Sequence, residues 1–144
     1  MMFEAASRYE NRVRLGAARD ALGRPVAHVR WRLDDDDVDR MRRTLALFDD
    51  AFRRAGIGHV ELAFADERDA WRAALEAGKH HVGTTRMHPD PARGVVDADC
   101  RVHGTRNLYV AGSSVFPSGG YANPTLTIVA LALRLAEHLA GRPR

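Results

Sequence analysis

The stretch from Asn123 to Gly141 predicts a helix that is apolar on nearly every side, and such a helix needs other structure to cover it. Pro124 suits its first turn, and Gly141 suits its end. Its apolar side chains are Leu126, Ile128, Val129, Leu131, Leu133, Leu135 and Leu139. We therefore expect the first turns of this helix to be buried against the rest of the protein.

A β-hairpin is expected near the beginning of the chain. Apolar side chains alternate with arginines in Asn11–Leu15 and again in Val26–Leu33, the two-residue period of a strand. Gly23 and Pro25 lie between these runs and suit a turn.

An amphipathic helix is predicted over residues 36–55. Asp34–Asp37 are placed to cap its start and Gly56 to end it. We interpret the acidic run as a cap and solvated surface in preference to a calcium loop. The apolar stripe of this helix consists of Val38, Met41, Leu45, Phe48, Phe52 and Ala55.

Shorter elements follow, and together they indicate an α+β fold. A strand is expected over His59–Phe64 and a short helix over Asp66–Ala77. From Lys79 to Ala122 the chain is rich in Gly, Pro, Asp and Thr, with one strand-like run at Asn107–Ala111. No boundary divides the chain into two independent domains.

Composition excludes several classes of protein. The net charge is +3, and the 22 basic residues are mixed with 19 acidic ones rather than clustered, which argues against nucleic-acid binding. The single cysteine, Cys100, excludes an internal disulfide and a multi-cysteine zinc site. Neither a membrane span nor a signal peptide is visible. The cytoplasm is therefore only a default, and the location stays unknown, because a segment of a longer protein need not carry its leader.

Two motifs invite interpretations that their surroundings do not support. Gly56–Glu61 begins like a dinucleotide fingerprint, but Glu61 replaces the third glycine and the motif follows a helix rather than a strand. His80, His81 and His88 suggest a metal, yet adjacent side chains of an extended segment point to opposite faces. No acidic or thiol ligand has a recognised spacing, so no metal site is expected.

The block from Lys79 to Gly141 carries a series of short motifs in a fixed order. They read H-x-V-G-T-x-R-M, G-V-V-D, R-V-H-G, N-L-Y-V-A, S-V-F-P and N-P-T-L-T-I-x-A-L-A. The block resembles the C-terminal signature of the glucose–methanol–choline (GMC) flavoprotein oxidoreductases. The first half is similar more weakly, through NRVRL, DALGRP and VRWRL. The resemblance covers essentially the whole chain, but only the last part of a typical family member.

The resemblance implies an incomplete GMC-type fold. Residues 1–78 would be part of the substrate-binding domain, and residues 79–144 the C-terminal part of the FAD-binding domain, ending in a buried helix. The G-x-G-x-x-G motif of the N-terminal Rossmann-type FAD domain is absent from this sequence. We therefore expect a segment of a longer oxidoreductase, with a separate N-terminal FAD-domain chain as a candidate partner. Such a segment alone would expose its sheet edges and its apolar terminal helix.

The resemblance also implies oxidation of an alcohol or sugar, with transfer of a hydride to FAD. Its catalytic histidine corresponds to His80 and its second polar residue to Asn123. Hydride leaves more readily as the hydroxyl loses its proton, so an imidazole base suits the first role. A carboxamide can hold the substrate oxygen in the second. His81, one position late, is the alternative base, and Asn123 has a competing role as a helix cap.

The residues that correspond to those lining FAD are Gly112, Ser113, Pro124 and Thr125. Many family members have Asp in place of Gly112, and glycine in place of His88. Gly119 and Gly120 suit either a flexible approach to the site or a plain loop. The alternative to an enzyme part is a catalytically silent fragment, or a partner subunit that acts only when associated with an N-terminal FAD domain.

Overall fold

The computed structural model describes residues 3–61, 67–76 and 78–141 of the chain. Within them the strands are β1 (Arg12–Arg19) and β2 (Pro25–Arg30), and the helices are α1 (Asp35–Ala55), α2 (Arg68–Ala74) and α3 (Thr125–Ala140). A single 3₁₀ turn, Ser113–Val115, lies in the long irregular stretch between α2 and α3. The predicted α+β class is confirmed.

The expected hairpin is present, with β1 and β2 antiparallel and Val13 opposite Val29. Strand β1 extends four residues beyond the predicted end at Leu15, with an irregularity in the pairing before Arg19. The side-chain carboxylate of Asp20 closes the turn by accepting hydrogen bonds from backbone N–H groups. Leu15 and Val29 are 78% and 66% exposed, so the apolar side chains of the hairpin lie largely in solvent.

Helix α1 begins and ends as the sequence indicates. Gly56 follows it with φ 68°, a left-handed conformation that glycine adopts without strain, and its N–H donates to Arg53 O. At the start, the N–H of Asp34 donates to Asp37 Oδ2 at 3.1 Å. The interpretation of the acidic run as solvated surface is wrong for Asp37, which is only 4% exposed.

Only the first half of the apolar stripe on α1 is covered. Val38 and Met41 are buried, whereas Phe48 is 42% exposed and Phe52 is 39% exposed. Arg68 of α2 pairs with Asp39 of α1 at 3.0 Å, which fixes α2 beside the covered half. The later turns of α1 therefore extend past the structure that packs on it.

Three further predictions for the middle of the chain meet different outcomes. Helix α2 is shorter than the predicted Asp66–Ala77, and residues 66 and 77 lie outside the described residues. The part of the predicted strand His59–Phe64 that is described, residues 59–61, is not a strand, and residues 62–64 are outside the description. The run Asn107–Ala111 makes only an isolated bridge, Tyr109 with Arg101.

The core lies between the irregular segments of the second half and one face of α3. Its buried members are Val96, Cys100, Val115, Phe116 and Leu135. Ile128 and Leu131 of α3 pack against it from the same side as Leu135. The motif-rich block thus folds around its own hydrophobic cluster, which holds α3 against the 3₁₀ turn.

The opposite face of α3 is uncovered. Leu126 is 82% exposed, Leu133 61% and Val129 50%. The expectation that the first turns are buried is therefore wrong for this face, because the irregular segments reach only one side of the helix. The exposure of the apolar terminal helix that is expected of the segment alone is confirmed for this face. Among the described residues, no helix is long and apolar enough to span a membrane.

Candidate functional site

The segment that follows His80 is laid along the 3₁₀ turn by three backbone hydrogen bonds. The N–H groups of Gly83, Thr85 and Met87 donate to the carbonyls of Ser113, Ser114 and Val115 at 3.3, 2.9 and 2.8 Å. Alternate residues of one segment thus pair with consecutive residues of the other. The V-G-T-x-R-M motif and the S-S-V-F-P stretch therefore form one unit.

Glycine is needed where these segments meet. Gly83 has φ 79°, and a Cβ there would lie 3.3 Å from the carbonyl oxygen of Phe116. Gly112, just before the 3₁₀ turn, has φ 119°, which side-chain-bearing residues rarely adopt. Apart from Gly112 itself and its two chain neighbours, no heavy atom of the described residues lies within 4 Å of a Cβ added there, so its backbone is open to approach.

The hydroxyl of Ser113 is engaged with the neighbouring segment. Ser113 Oγ donates a hydrogen bond to the carbonyl oxygen of His81 at 2.7 Å. Beside it, Thr85 Oγ1 donates to Ser114 Oγ at 2.8 Å. Ser113 therefore fixes the backbone next to His80. Its hydroxyl proton is used in this bond, so the hydroxyl oxygen can only accept a hydrogen bond from another ligand.

His80 and Asn123 are both exposed, and neither side chain makes a hydrogen bond within the described part of the chain. Within the described residues, the His80 imidazole and the Asn123 carboxamide therefore hold no other group by a hydrogen bond, and both are open to solvent. They do not hydrogen-bond to one another. His81 is exposed as well.

The cap of α3 is Pro124, with φ −77° and ψ −8°, and not Asn123. Asn123 precedes the cap by one residue, and no side chain caps the helix. The competing role of Asn123 as a helix cap is therefore wrong. Thr125 begins the helix, so the unpaired N–H groups of the first turn start there.

The segments that carry His80 and Asn123 meet at one close contact. A Cβ placed on Gly119 would lie 3.1 Å from Val82 Cγ2, so the glycine backbone packs directly on that side chain. Val82 follows His80 by two residues, and Gly119 precedes Asn123 by four. This contact joins segments that are distant in the sequence.

The other histidines of the block have structural partners. The ring Nδ1 of His88 accepts the N–H of Asp90 at 2.9 Å, and His103 Nε2 donates to the carbonyl oxygen of His88 at 2.9 Å. Over the ranges that the structure describes, no group of three His, Cys, Asp or Glu side chains is placed to hold a metal ion.

The arrangement of motifs is that of a known family. The family model of the GMC oxidoreductases matches residues 7–132, most of the chain. The chain belongs to the GMC oxidoreductase family.

Relatives of known activity support this membership. The chain is 37% identical over 136 residues to 6'''-hydroxyparomomycin C oxidase of Streptomyces lividus, covering 92% of this chain and 24% of that protein. It is 37% identical over 135 residues to paromamine 6'-oxidase of Streptomyces fradiae, covering 92% and 23%. Oxygen-dependent choline dehydrogenase of Rhizobium rhizogenes is 41% identical over 136 residues, covering 87% and 25%.

A solved structure shows the same fold. Pyridoxine 4-oxidase from Mesorbium loti superposes with a TM-score of 0.63 at 24% identity, over 92% of this chain and 27% of that one. This GMC chain spans about a quarter of the length of the relatives that it matches.

The sequence patterns missed one residue of this GMC segment that contacts the Asn123 loop. The carboxylate of Glu4 accepts hydrogen bonds from the N–H groups of Gly119 and Gly120 at 2.7 and 3.0 Å. Glu4 is 115 positions from Gly119, and no local periodicity or motif spacing connects the two. No signal in the single sequence could have found this contact.

Proposed function

We propose that this chain is the C-terminal part of an FAD-dependent oxidoreductase that oxidises a CH–OH group of an alcohol or sugar. The observation that carries the proposal is the contact between Val82 and Gly119, which brings the His80 and Asn123 segments together. Both side chains are exposed and unengaged within the described residues. Two relatives, paromamine 6'-oxidase and oxygen-dependent choline dehydrogenase, are an oxidase and a dehydrogenase by name, which supports the same class of reaction.

The residues present fit a flavin. The backbone at Gly112 is open to close approach, and the first-turn N–H groups of α3 are free of side-chain caps. We assign the cofactor contacts to Gly112, Ser113, Pro124 and Thr125. A bound FAD would supply the hydride acceptor, and the N–H groups at the start of α3 would stabilise the negative charge that reduction brings. Ser113 would contribute through its oxygen, because its proton is held by His81 O.

His80 is the proposed base. Removing the hydroxyl proton pushes electron density onto the carbon that loses the hydride, so proton removal assists the oxidation. An imidazole is the side chain that exchanges protons readily near neutral pH. The hydrogen bond from Ser113 to the neighbouring His81 carbonyl holds the backbone that presents the ring.

Asn123 is the proposed positioning group for the substrate. Its amide N–H can donate to the substrate oxygen and stabilise charge that develops there. Because Pro124 is the cap of α3, the Asn123 carboxamide is not committed to the helix. Its place just before the helix start sets it beside the proposed cofactor contacts of Pro124 and Thr125.

A second candidate is a chain that acts only in association with an N-terminal FAD domain. The uncovered face of α3 favours it, because Leu126, Val129 and Leu133 are at least half-exposed on one helix. An FAD domain covering this face, in the same polypeptide or in a separate chain, would bury these side chains. If this second candidate is correct, the isolated chain neither retains FAD nor oxidises the substrate.

A chimaeric enzyme tests the proposal. Residues 3–141 of this chain replace the matching quarter of paromamine 6'-oxidase, and bound flavin absorbance and paromamine-dependent dye reduction are measured. We expect flavin retention and turnover, and a loss of about 100-fold or more in kcat in His80→Ala with flavin retained. Asn123→Ala should also lower kcat.

His81→Ala is the matched control and should keep most of the activity. Full activity in His80→Ala, or loss in His81→Ala alone, would refute the assignment of the base. The isolated chain with added FAD is the second control. Dye reduction by the isolated chain would exclude the candidate that acts only in association.

A further inference from the structure

The loop before Asn123 is held by a carboxylate from the other end of the chain. Glu4 Oε1 accepts the N–H of Gly119 at 2.7 Å, and Oε2 accepts the N–H of Gly120 at 3.0 Å. Two successive N–H groups that converge in this way form a small concave anion site, which Gly120 makes possible with φ 64°. Hydrogen bonds to an ionised acceptor are stronger than neutral ones.

Gly119 lies between Glu4 and Val82. A Cβ placed on it would be 3.1 Å from Val82 Cγ2 and 4.0 Å from Glu4 Oε1. The carboxylate therefore holds the glycine backbone against the side chain that follows the His80–His81 pair. A larger residue at Gly119 would require Val82 or the loop to shift by a few tenths of an ångström.

The His80 segment is thus held from two sides. Ser113 donates to the carbonyl oxygen of His81 from the 3₁₀ turn. Gly119 packs on Val82 from the loop that leads to Asn123. A double-glycine loop has a large conformational freedom to lose, so it keeps one position only if something fixes it. The carboxylate of Glu4 fixes this loop by accepting two hydrogen bonds from its backbone N–H groups.

We propose that Glu4 is a positioning residue of the site. It fixes the Gly119–Gly120 loop and, through it, sets Asn123 relative to the His80 segment. This inference rests on the proposed function for the role of Asn123, whereas the clamp itself is a property of the chain alone. The two parts are tested separately.

The clamp is tested by amide hydrogen exchange on the 144-residue chain. Glu4→Gln keeps the shape but replaces one acceptor oxygen by an NH₂ donor, which faces a backbone N–H. We expect the amides of Gly119 and Gly120 to exchange about tenfold faster or more. Glu10→Gln makes the same charge change at an exposed carboxylate and should leave both rates unchanged. Equal rates in wild type and Glu4→Gln would overturn the proposal.

The positioning role is tested by a double-mutant cycle in the chimaera. Glu4→Gln should lower kcat about tenfold with flavin content and melting temperature retained. Because Glu4 acts through Asn123, the same change in the Asn123→Ala background should have little further effect. An equal loss in both backgrounds would overturn the positioning role. A wild-type chimaera that holds FAD but does not turn over would refute the proposed function and this role with it, even where exchange confirms the clamp.

Discussion

The carboxylate of Asp37, at the start of α1, accepts a hydrogen bond from Arg8 Nη2 at 3.2 Å. It also accepts the N–H of Ala6 at 3.0 Å and pairs with Arg40 at 2.8 Å. The side chain of Asp37 is only 3% exposed. This one carboxylate therefore ties the N-terminal segment, which carries Glu4, to helix α1.

Replacing Asp37 by Asn should destabilise the chain. The change removes the charge of the buried partner of Arg8, which keeps only its ion pair with Asp34 at 3.0 Å, and Arg8 Nε already has no hydrogen-bond acceptor within the described residues. We expect a loss of about 1–3 kcal/mol in the free energy of unfolding, measured by urea denaturation. Asp36→Asn, at an exposed position of the same turn, should change it by less than about 0.5 kcal/mol. Equal effects of the two substitutions would contradict the assigned role of Asp37.

Acid should destabilise the fold through aspartates whose pKa the fold lowers, and Asp37 and Asp97 are the two of them with the least exposed side chains. Burial raises the pKa of Asp37, but hydrogen bonds from Ala6, Asp34 and Arg8 outweigh it and lower that pKa below its ordinary value. Burial likewise raises the pKa of Asp97, and hydrogen bonds from the Arg101 and Asp99 backbone and the Arg101 side chain lower it overall. A depressed carboxyl pKa adds stability above the unfolded-state pKa that is lost as the pH falls through the folded-state value.

The urea midpoint should therefore be level above about pH 5 and fall as the pH drops below about 4. Asp37→Asn removes one of the aspartates whose pKa the fold lowers, so its midpoint should fall less steeply over the same range. A slope in the variant as steep as that of the wild type would show that Asp37 does not contribute to the acid sensitivity.

Gly94, in the G-V-V-D motif, has no room for a side chain. A Cβ would lie 2.5 Å from His88 Cβ and 2.9 Å from the carbonyl oxygen of Arg86. Gly94→Ala should therefore cost about 1–3 kcal/mol in the free energy of unfolding, because backbone atoms must shift. Gly141→Ala is the control, since φ is −80° there and the nearest atom lies 3.6 Å from the added Cβ. If Gly94→Ala leaves the free energy of unfolding unchanged, the backbone around Gly94 can shift to accommodate a side chain without loss of stability.

Patterns that repeat over a few residues predicted most of this fold. The helix that Gly56 ends, the hairpin around Gly23 and the start of α3 directly after Pro124 follow from local periodicity and turn residues. Such signals depend on neighbours in the sequence, so they are visible in one chain. The strand expected at Asn107–Ala111 became a single bridge, because no regular partner strand lies beside it in the described structure.

The candidate site was predicted only in part, for a physical reason. Motif order pointed to His80 and Asn123, but the contacts that hold their segments join residues far apart in the chain. The Ser113 bond to His81 and the Glu4 bonds to the glycine loop are of this kind. The burial of α3 was overestimated. Its apolar composition indicates that side chains such as Leu126 must be covered, but it does not indicate whether this chain supplies the structure that covers them.

The two faces of α3 should respond differently to truncation. Leu135 is 8% exposed in the core, so Leu135→Ala should lower the free energy of unfolding of the isolated chain by about 2–5 kcal/mol. Leu126 is 82% exposed, so Leu126→Ala should leave that free energy within about 0.5 kcal/mol of wild type.

In the chimaera the outcome for Leu126 should change. If an FAD domain covers the outer face of α3, Leu126→Ala then leaves a cavity, and the melting temperature of the flavin-loaded chimaera should fall. Leu108→Ala is the matched control, because that leucine is 53% exposed and lies outside α3. If Leu126→Ala leaves the melting temperature of the chimaera unchanged, the FAD domain does not cover the exposed face of α3.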